Sequence, residues 1–305
     1  MKVLLTGATG QLGQALIASR PEGVQLVPLG RSDLDLANAA ACQHLVRQHQ
    51  PDWLLNAGAY TAVDRAEGDP DLAMAVNAGA PQAFAEALAA TGGRFLQVST
   101  DFVFNGQQGS PYRPEQAPEP LGVYGASKAA GERAVLTALG PGRARILRTS
   151  WVYGPVGANF CLTMLRLHAL KAAAGESLGV VADQVGCPTA TFGLAAACWR
   201  AIGIGADPGA AAVLHWSDAG AASWYDFAVA IGELGVATGL LEQAARVRPI
   251  PTAAYPTPAA RPPYSLLECG ASRAALGLEP THWRAALAQV LGQLADLRAI
   301  PGTRA

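Results

Sequence analysis

Short apolar runs alternate with longer amphipathic stretches through the first half of the chain. The apolar runs cover residues 2–6, 24–29, 52–56, 95–99 and 144–150. Stretches with helical spacing, such as residues 39–49 and 70–90, lie between them. Strands buried on both faces of a parallel sheet read as continuous apolar runs. The alternation predicts an α/β fold, a Rossmann-like doubly wound parallel sheet that binds ligands at the carboxyl ends of its strands.

After residue 150 the alternation becomes irregular. Helical spacing covers residues 160–173, 192–202, 224–234 and 283–297, and short apolar runs lie at 178–181 and 212–216. Residues 249–263 are rich in proline and are predicted to form an ordered loop. The pattern predicts a dinucleotide-binding domain over residues 1–150, to which roughly residues 190–215 return. A smaller α/β substrate-binding domain is predicted mainly over residues 151–300.

Composition and charge limit the classes of function. The 305 residues are 50% hydrophobic and 15% charged, which is typical of a compact globular protein. The net charge is -1 without a basic cluster, so the sequence predicts neither a nucleic-acid partner nor binding to an anionic membrane. No apolar stretch is long enough to span a bilayer. The five cysteines are scattered and odd in number, which favours free thiols in a reducing compartment, so we expect a cytoplasmic protein.

A glycine-rich turn follows the first predicted strand. Gly7, Gly10 and Gly13 stand in the run Gly-Ala-Thr-Gly-Gln-Leu-Gly, directly before the apolar start of a predicted helix. In such a turn the first glycine permits the tight bend, the second lets backbone approach a pyrophosphate, and the third lets helix pack on strand. The helix N-terminus offers free N–H groups to the phosphates. Strand, turn and helix together predict a dinucleotide site.

The end of the second predicted strand bears on the choice of cofactor. NAD-specific folds usually place an acidic residue there for the ribose hydroxyls. Gly30 holds that place, and Arg31 and Ser32 follow, which suits the 2′-phosphate of NADPH. Asp33 and Asp35 lie slightly later and keep NADH open as the cofactor.

Tyr124 and Lys128 form a Tyr-x-x-x-Lys pair at the start of a predicted helix. Residues four apart share a helix face, so a lysine charge about 5 Å from the phenol would favour tyrosinate by roughly 3 kcal/mol. That would lower the pKa of the phenol from about 10 to roughly 8 and make it a proton donor for a carbonyl oxygen. Thr100 falls at a predicted strand end, where its hydroxyl would donate to the same oxygen or satisfy a turn. The set fits hydride transfer.

Other polar features of the sequence point to no further chemistry. The five histidines show no metal-ligand spacing, and the sequence leaves the metal unknown. Residues 175–179 match Gly-x-Ser-x-Gly, but a predicted helix precedes them and a strand follows, the reverse of a nucleophile elbow. Asn77, inside the predicted helix over residues 70–90, is interpreted as a mild liability without a role.

Several segments together carry a family resemblance. The glycine turn at residues 7–13 and the segment around Tyr124 and Lys128 mark a superfamily. Segments at residues 99–104, 148–154, 183–189, 224–228 and 261–265 narrow it. The chain resembles the extended short-chain dehydrogenase/reductases and, within them, the dTDP-4-dehydrorhamnose reductase family. The resemblance implies reduction of the 4-keto group of dTDP-4-dehydro-L-rhamnose to dTDP-L-rhamnose with NADPH or NADH.

The resemblance also implies a set of site residues. The catalytic residues it implies are Thr100, Tyr124 and Lys128. The predicted cofactor site already contains the three glycines, Arg31, Tyr124 and Lys128. The resemblance adds to it Gln11, Leu12, Asp35, Leu36, Ala57, Ala59 and Tyr60. At the nucleotide sugar it implies Thr100, Asp101 and Trp151. Some family members use Mg²⁺ and form homodimers, and Asp183 and Gln184 leave both points open for this chain.

Three other classes share parts of this pattern. A sugar-nucleotide 4,6-dehydratase needs a glutamate after the Thr-Asp pair, where Phe102 stands. An epimerase stays open, although the segments around Trp151 and Asp183 favour the reductase. The non-catalytic regulatory subunit of methionine adenosyltransferase retains much of the motif set and would bind NADP and a protein partner. Tyr264 stands where the family usually has asparagine, and this departure leaves the accepted sugar open.

Overall fold

Strands and helices alternate along the chain as the sequence predicts. The computed structural model describes residues 1–204 and 211–299. In chain order, its strands are β1 (Lys2–Thr6), β2 (Gln25–Leu29), β3 (Trp53–Asn56), β4 (Arg94–Thr100), β5 (Ala144–Thr149), β6 (Val152–Tyr153), β7 (Leu178–Val181), β8 (Val185–Gly186), β9 (Thr189–Ala190), β10 (Val213–His215), β11 (Ala222–Ser223) and β12 (Val247–Ile250). Its helices are α1 (Gln11–Ala18), α2 (Ala39–His49), α3 (Val63–Ala66), α4 (Pro70–Met74), α5 (Ala80–Thr91), α6 (Val123–Leu139), α7 (Phe160–Ala173), α8 (Thr191–Gly203), α9 (Trp224–Ala237), α10 (Gly270–Leu276) and α11 (Trp283–Ala299).

The larger sheet is parallel throughout, with the strand order β10-β5-β4-β3-β1-β2. The chain moves from β1 to β2 on one side and then to β3 on the other, so the order reverses beside β1. Helices make the crossings between these strands, and this is the predicted Rossmann-like doubly wound arrangement. A ligand site is therefore expected at the carboxyl ends of β1, β3 and β4.

Each face of the larger sheet has its own apolar core. Val3 and Leu5 of β1 pack with α1 and α8, whereas Leu4 between them packs with α2, α5 and α6. In β3, Leu55 and Leu54 divide between the two cores in the same way. Successive side chains of a strand point to opposite faces, so a sheet covered on both faces needs apolar residues at every position. This explains the uninterrupted apolar runs in the sequence.

The chain after β5 builds a separate core from helices and short strands. Leu165 of α7, Phe227 of α9 and Leu287 of α11 pack together in it. β7 pairs with β12 in parallel, and β8 pairs with β11 in antiparallel orientation. Ser223 and Asp226 form a capping box that fixes the start of α9. In contrast, β10 is a strand of the larger sheet, and α8 packs on one face of that sheet.

The observed elements differ from the predicted ones, which do not include the short elements β6, β8, β9, β11, α3 and α10. The predicted loop over residues 249–263 loses its first residues to β12, which carries Pro249 on a two-stranded sheet where an edge position tolerates proline. A π-helical turn, Ala75–Gly79, interrupts the helix predicted over residues 70–90. The division into domains at residue 150 stays a prediction. The predicted domain ranges include residues 205–210 and residue 300, which lie outside the described residues.

Candidate active site

Thr100, Tyr124 and Lys128 meet at the carboxyl edge of the larger sheet. Thr100 is the last residue of β4 and is level with Thr149 of β5. Tyr124 and Lys128 lie in the first two turns of α6, which packs against β4, and both side chains are buried. The Thr100 side chain lies near the Tyr124 phenol and acts to lower its pKa. The fold thus brings together the three residues predicted to be catalytic.

Thr100 also satisfies the turn that follows β4. Its Oγ1 accepts the Phe102 N–H at 3.2 Å and donates to Oδ1 of Asp101 at 3.1 Å. The Phe102 ring packs edge-on against Tyr124, with ring centroids 5.6 Å apart. Thr100 therefore stabilises its own turn and faces the phenol at the same time.

The predicted direction of the Tyr124 pKa shift is wrong. Burial raises the pKa of Tyr124 to about 12, and the negative charge of Asp101 acts in the same direction. The Lys128 charge does not reverse this shift; Lys128 is itself buried, and its Nζ donates to the Val98 carbonyl oxygen at 2.7 Å. Burial lowers the pKa of Lys128 to about 8, against the opposing charge of Glu132. At neutral pH the phenol keeps its proton and is able to donate it.

Asp101 lies fully buried next to Thr100. Burial raises the pKa of its carboxyl to about 6, although the nearby side chains of Ser265 and Thr100 act against the shift. Ser265 belongs to residues 261–265, one of the segments that carry the family resemblance. The structure therefore brings this late segment of the chain to the end of β4, beside the predicted catalytic residues.

The glycine turn has the geometry of a phosphate cradle. Gly7 has a φ of +70°, and a Cβ there would lie 2.6 Å from the Gly58 nitrogen. A Cβ at Gly13 would lie 2.2 Å from the Gly7 carbonyl oxygen, so α1 packs directly on the turn. Gly10 adds no capping side chain to α1, and a Cβ there would meet only the Gly7 oxygen within 4 Å. The open face of Gly10 and the start of α1 fit a pyrophosphate.

Gln11 and Leu12, predicted at the cofactor, have different surroundings. Leu12 packs into the core between α1 and α8, so only its backbone faces the turn. Gln11 Nε2 donates to the Val152 carbonyl oxygen at 3.2 Å, and its Oε1 accepts from Asn159 Nδ2 at 3.2 Å. Gln11 thus joins the glycine turn to the segment that follows β5.

The loop after β2 holds the residues that bear on cofactor choice. Arg31 is exposed. Asp33 and Asp35 accept backbone N–H groups of their own loop, at 2.8 and 3.0 Å. Leu36 turns towards Gly58, where a Cβ would lie 2.7 Å from its Cδ1. The two carboxylates therefore satisfy the loop itself, while the guanidinium of Arg31 faces solvent.

Ala57, Ala59 and Tyr60 follow β3, and Asn77 fixes this segment. Asn77 Oδ1 accepts the Tyr60 N–H at 2.9 Å, and its Nδ2 donates to the Tyr60 carbonyl oxygen and to Ser127 Oγ, each at 3.0 Å. The interpretation of Asn77 as a residue without a role is wrong. The signal was a polar residue within the otherwise apolar run of residues 73–80, and the π-helical turn aims its side chain at α6.

An aromatic wall faces the strand ends from the C-terminal half. Trp151 stacks on Trp224 with ring centroids 3.6 Å apart. Trp151 has a φ of +45°, a strained left-handed conformation for a residue with a side chain. A Cβ at Gly186 would lie 2.7 Å from the Trp151 ring, so only glycine fits beneath it. The two tryptophans, Phe102 and Arg261 line one cleft, which adjoins the predicted catalytic residues.

In the sequence, Asp183 and Gln184 leave open whether the protein binds Mg²⁺. In the structure, their side chains hydrogen-bond to Thr252 in the loop after β12. Thr252 Oγ1 donates to Asp183 at 2.6 Å, and Gln184 Nε2 donates to Thr252 at 3.1 Å. Across residues 1–204 and 211–299, no group of three His, Cys, Asp or Glu side chains is placed to hold a metal ion.

The five cysteines are buried free thiols. No helix in the described part of the chain has the length and apolarity needed to cross a membrane.

The fold and the site define a class of protein. A doubly wound sheet that brings a glycine turn, a threonine and a Tyr-x-x-x-Lys pair to one edge is that of an extended short-chain dehydrogenase/reductase. The family model described as the RmlD substrate binding domain matches residues 1–296. A relative from Streptomyces griseus named dTDP-4-dehydrorhamnose reductase is 42% identical over 308 residues, which cover 99% of this chain and 97% of the relative. The chain belongs to the dTDP-4-dehydrorhamnose reductase family.

Two further comparisons bear on the site. A structure of dTDP-4-dehydrorhamnose reductase from Bacillus anthracis in complex with NADP has a TM-score of 0.86 and 33% identity, covering 96% of this chain and 99% of that one. A relative from Streptomyces antibioticus, named as a probable dTDP-4,6-dihydroxy-2-methyloxan-3-one 4-ketoreductase, is 40% identical over 290 residues. These residues cover 94% of this chain and 93% of the relative. Ketoreductases named for more than one dTDP-sugar thus resemble the chain.

Proposed function

We propose that this chain reduces the 4-keto group of dTDP-4-dehydro-L-rhamnose to dTDP-L-rhamnose, with NADPH as the reductant. The observation that carries the proposal is the convergence of Thr100, Tyr124 and Lys128 at the sheet edge, beside the glycine turn. The Streptomyces griseus relative, which has this reductase name, aligns with almost the whole chain. The Bacillus anthracis structure supports NADP as the bound nucleotide.

The chain's own residues would favour NADPH. The backbone of Gly10 and the first N–H groups of α1 would hold the pyrophosphate. Arg31 is free to approach a 2′-phosphate, whereas Asp33 and Asp35 already accept backbone N–H groups. Each carboxylate has a second oxygen that could accept a ribose 2′-hydroxyl, so Arg31 is the feature that favours NADPH. Bound NADPH would supply the hydride.

Proton delivery would follow from the burial of Tyr124. Hydride addition to C4 of the sugar leaves negative charge on the former carbonyl oxygen, and Tyr124 would give its proton to that oxygen. Thr100 would hydrogen-bond the same oxygen and stabilise the developing charge. The Lys128 ammonium would then stabilise the tyrosinate until solvent returns a proton. Asp101 and the Trp151 ring would contact the sugar nucleotide from the cleft side.

NADPH oxidation tests the proposed reaction. With dTDP-4-dehydro-L-rhamnose we expect steady oxidation of NADPH and slower oxidation of NADH, measured by nicotinamide absorbance. Tight NADP binding without oxidation would contradict the reductase and favour the non-catalytic regulatory subunit. Isomerisation of the sugar without net oxidation would favour the epimerase instead.

The burial of Lys128 predicts how activity depends on pH. Its pKa lies near 8, so the ammonium is present below that pH and is lost above it, while Tyr124 stays protonated to about 12. We expect kcat/KM to fall about tenfold for each pH unit above 8, with loss of the lysine charge as the cause. In Lys128→Arg the guanidinium stays charged, so the remaining activity should show no such fall. An unchanged alkaline fall in that variant would contradict the assignment.

A further inference from the structure

The helix that carries Tyr124 begins without a cap of its own. Gly122 is the N-cap residue of α6 and offers no side chain to the free N–H groups of the first turn. Unsatisfied N–H groups at a buried helix start are costly, and neighbouring side chains usually accept from them. Tyr124 is the second residue of the helix, so any movement of this first turn displaces the phenol directly.

Glu67 supplies the missing cap from 56 residues away in the sequence. Its Oε1 accepts the Val123 N–H at 2.9 Å, immediately before Tyr124. A Cβ at Gly122 would lie 2.6 Å from the same oxygen, so the glycine leaves the room that the carboxylate needs. Glu67 also lines a cleft together with Tyr124 and Phe102.

Glu67 is held in place by its own short helix. It follows α3 directly, and Asp64 of α3 accepts two hydrogen bonds from Arg261, at 3.0 and 2.8 Å. The Arg261 hydrogen bonds lower the pKa of Asp64, so this pair stays charged near neutral pH. The ion pair between Asp64 and Arg261 therefore holds the segment that carries Glu67 against the cleft that Arg261 lines. From this segment the Glu67 carboxylate reaches the start of α6.

We propose that Glu67 is a positioning residue, which caps α6 across the sequence and thereby sets where the Tyr124 phenol lies relative to Thr100. The inference rests on Tyr124 acting as the proton donor. A misplacement of about 1 Å at a reacting group can cost about a hundredfold in rate. The cap stabilises the position of the phenol and does not touch the cofactor turn, so it should affect kcat much more than NADPH binding.

Variants of Glu67 and Gly122 test the proposal with the purified protein. In Glu67→Ala we expect kcat to fall tenfold or more, on the order of the loss from misplacing a reacting group. The Kd for NADPH should change less than about twofold, as for a group remote from the cofactor. Glu67→Gln keeps the accepting oxygen and should retain most activity. Glu176→Ala, which removes an exposed ion pair with Lys171, is the control and should leave kcat unchanged.

A reciprocal rescue separates positioning from general destabilisation. Gly122 has φ of −142° and ψ of 176°, which aspartate adopts readily, and aspartate is a favoured N-cap residue. Gly122→Asp alone should lower kcat, because its side chain meets the Glu67 carboxylate. Combined with Glu67→Ala it should restore kcat by capping α6 locally. Wild-type kcat in Glu67→Ala, or an inactive but folded double variant, would overturn the proposal. Absence of turnover by the wild type would instead overturn the proposed function.

Discussion

Tyr124→Phe is expected to lower kcat for ketone reduction by about 10³-fold, within the range that general acid catalysis contributes. The substitution removes one hydroxyl and keeps the ring that packs against Phe102 and the small cluster of Ala66 and Ala73. Thr100 remains in place to hydrogen-bond the substrate oxygen but has no acidic proton to give. Binding of NADPH, measured by fluorescence, should change much less than kcat, because the glycine turn that would hold the pyrophosphate is untouched.

A second buried phenol provides the control for this loss. Tyr153 lies in the C-terminal core, where its hydroxyl donates to the Trp283 carbonyl oxygen at 3.5 Å, and Tyr153→Phe should retain its kcat. If Tyr124→Phe instead reduced the ketone at nearly the wild-type rate, the proton would have to come from another group. Asp101 is then the alternative, because burial raises the pKa of its carboxyl to about 6.

Local sequence signals were sufficient for many of the elements. The predicted limits of α2 and α7 agree with the structure, and both helices begin after an asparagine whose side chain accepts a backbone N–H of the first turn. Asn38 accepts the Ala41 N–H, and Asn159 accepts the Leu162 N–H, each at 3.0 Å. Such caps and the apolar spacing lie within a few residues of each other, so one segment contains the whole signal.

Contacts between distant segments could not be predicted in this way. Glu67 and Val123 are 56 residues apart, and Asn77 and Ser127 are 50 apart. The sequence places Tyr124 and Lys128 on one helix face, but it does not show how deeply that face is buried. Burial reverses the expected shift in the Tyr124 pKa, because desolvation of the phenolate outweighs the lysine charge. The residues of the site are therefore easier to predict than their charge states.

The most deeply buried ion pair of the described residues lies one helical turn beyond Lys128. Glu132 of α6 accepts from Arg148 of β5 at 2.9 and 2.7 Å, and both side chains are 3% exposed. Arg148 also donates to the Pro114 carbonyl oxygen at 3.1 Å and lies over the Phe104 ring. The pair fixes α6 to the central sheet and holds the loop that precedes it.

Arg148→Met is expected to reduce the free energy of unfolding by about 3–5 kcal/mol, because it leaves the Glu132 carboxylate buried without a partner. A double variant, Glu132→Leu with Arg148→Met, replaces both charges by apolar groups and should recover most of that loss. Urea unfolding followed by circular dichroism measures both changes. A single variant as stable as the wild type would contradict the pair's role in holding α6.

The same double variant separates stability from catalysis. The negative charge of Glu132 raises the pKa of Lys128 against the effect of burial, so its removal should lower that pKa below 8. The fall in kcat/KM would then begin at a lower pH in the double variant, although its stability is largely restored. Equal pH profiles in the two proteins would show that Glu132 holds the helix without influencing Lys128. A shifted profile would assign both effects to one buried carboxylate.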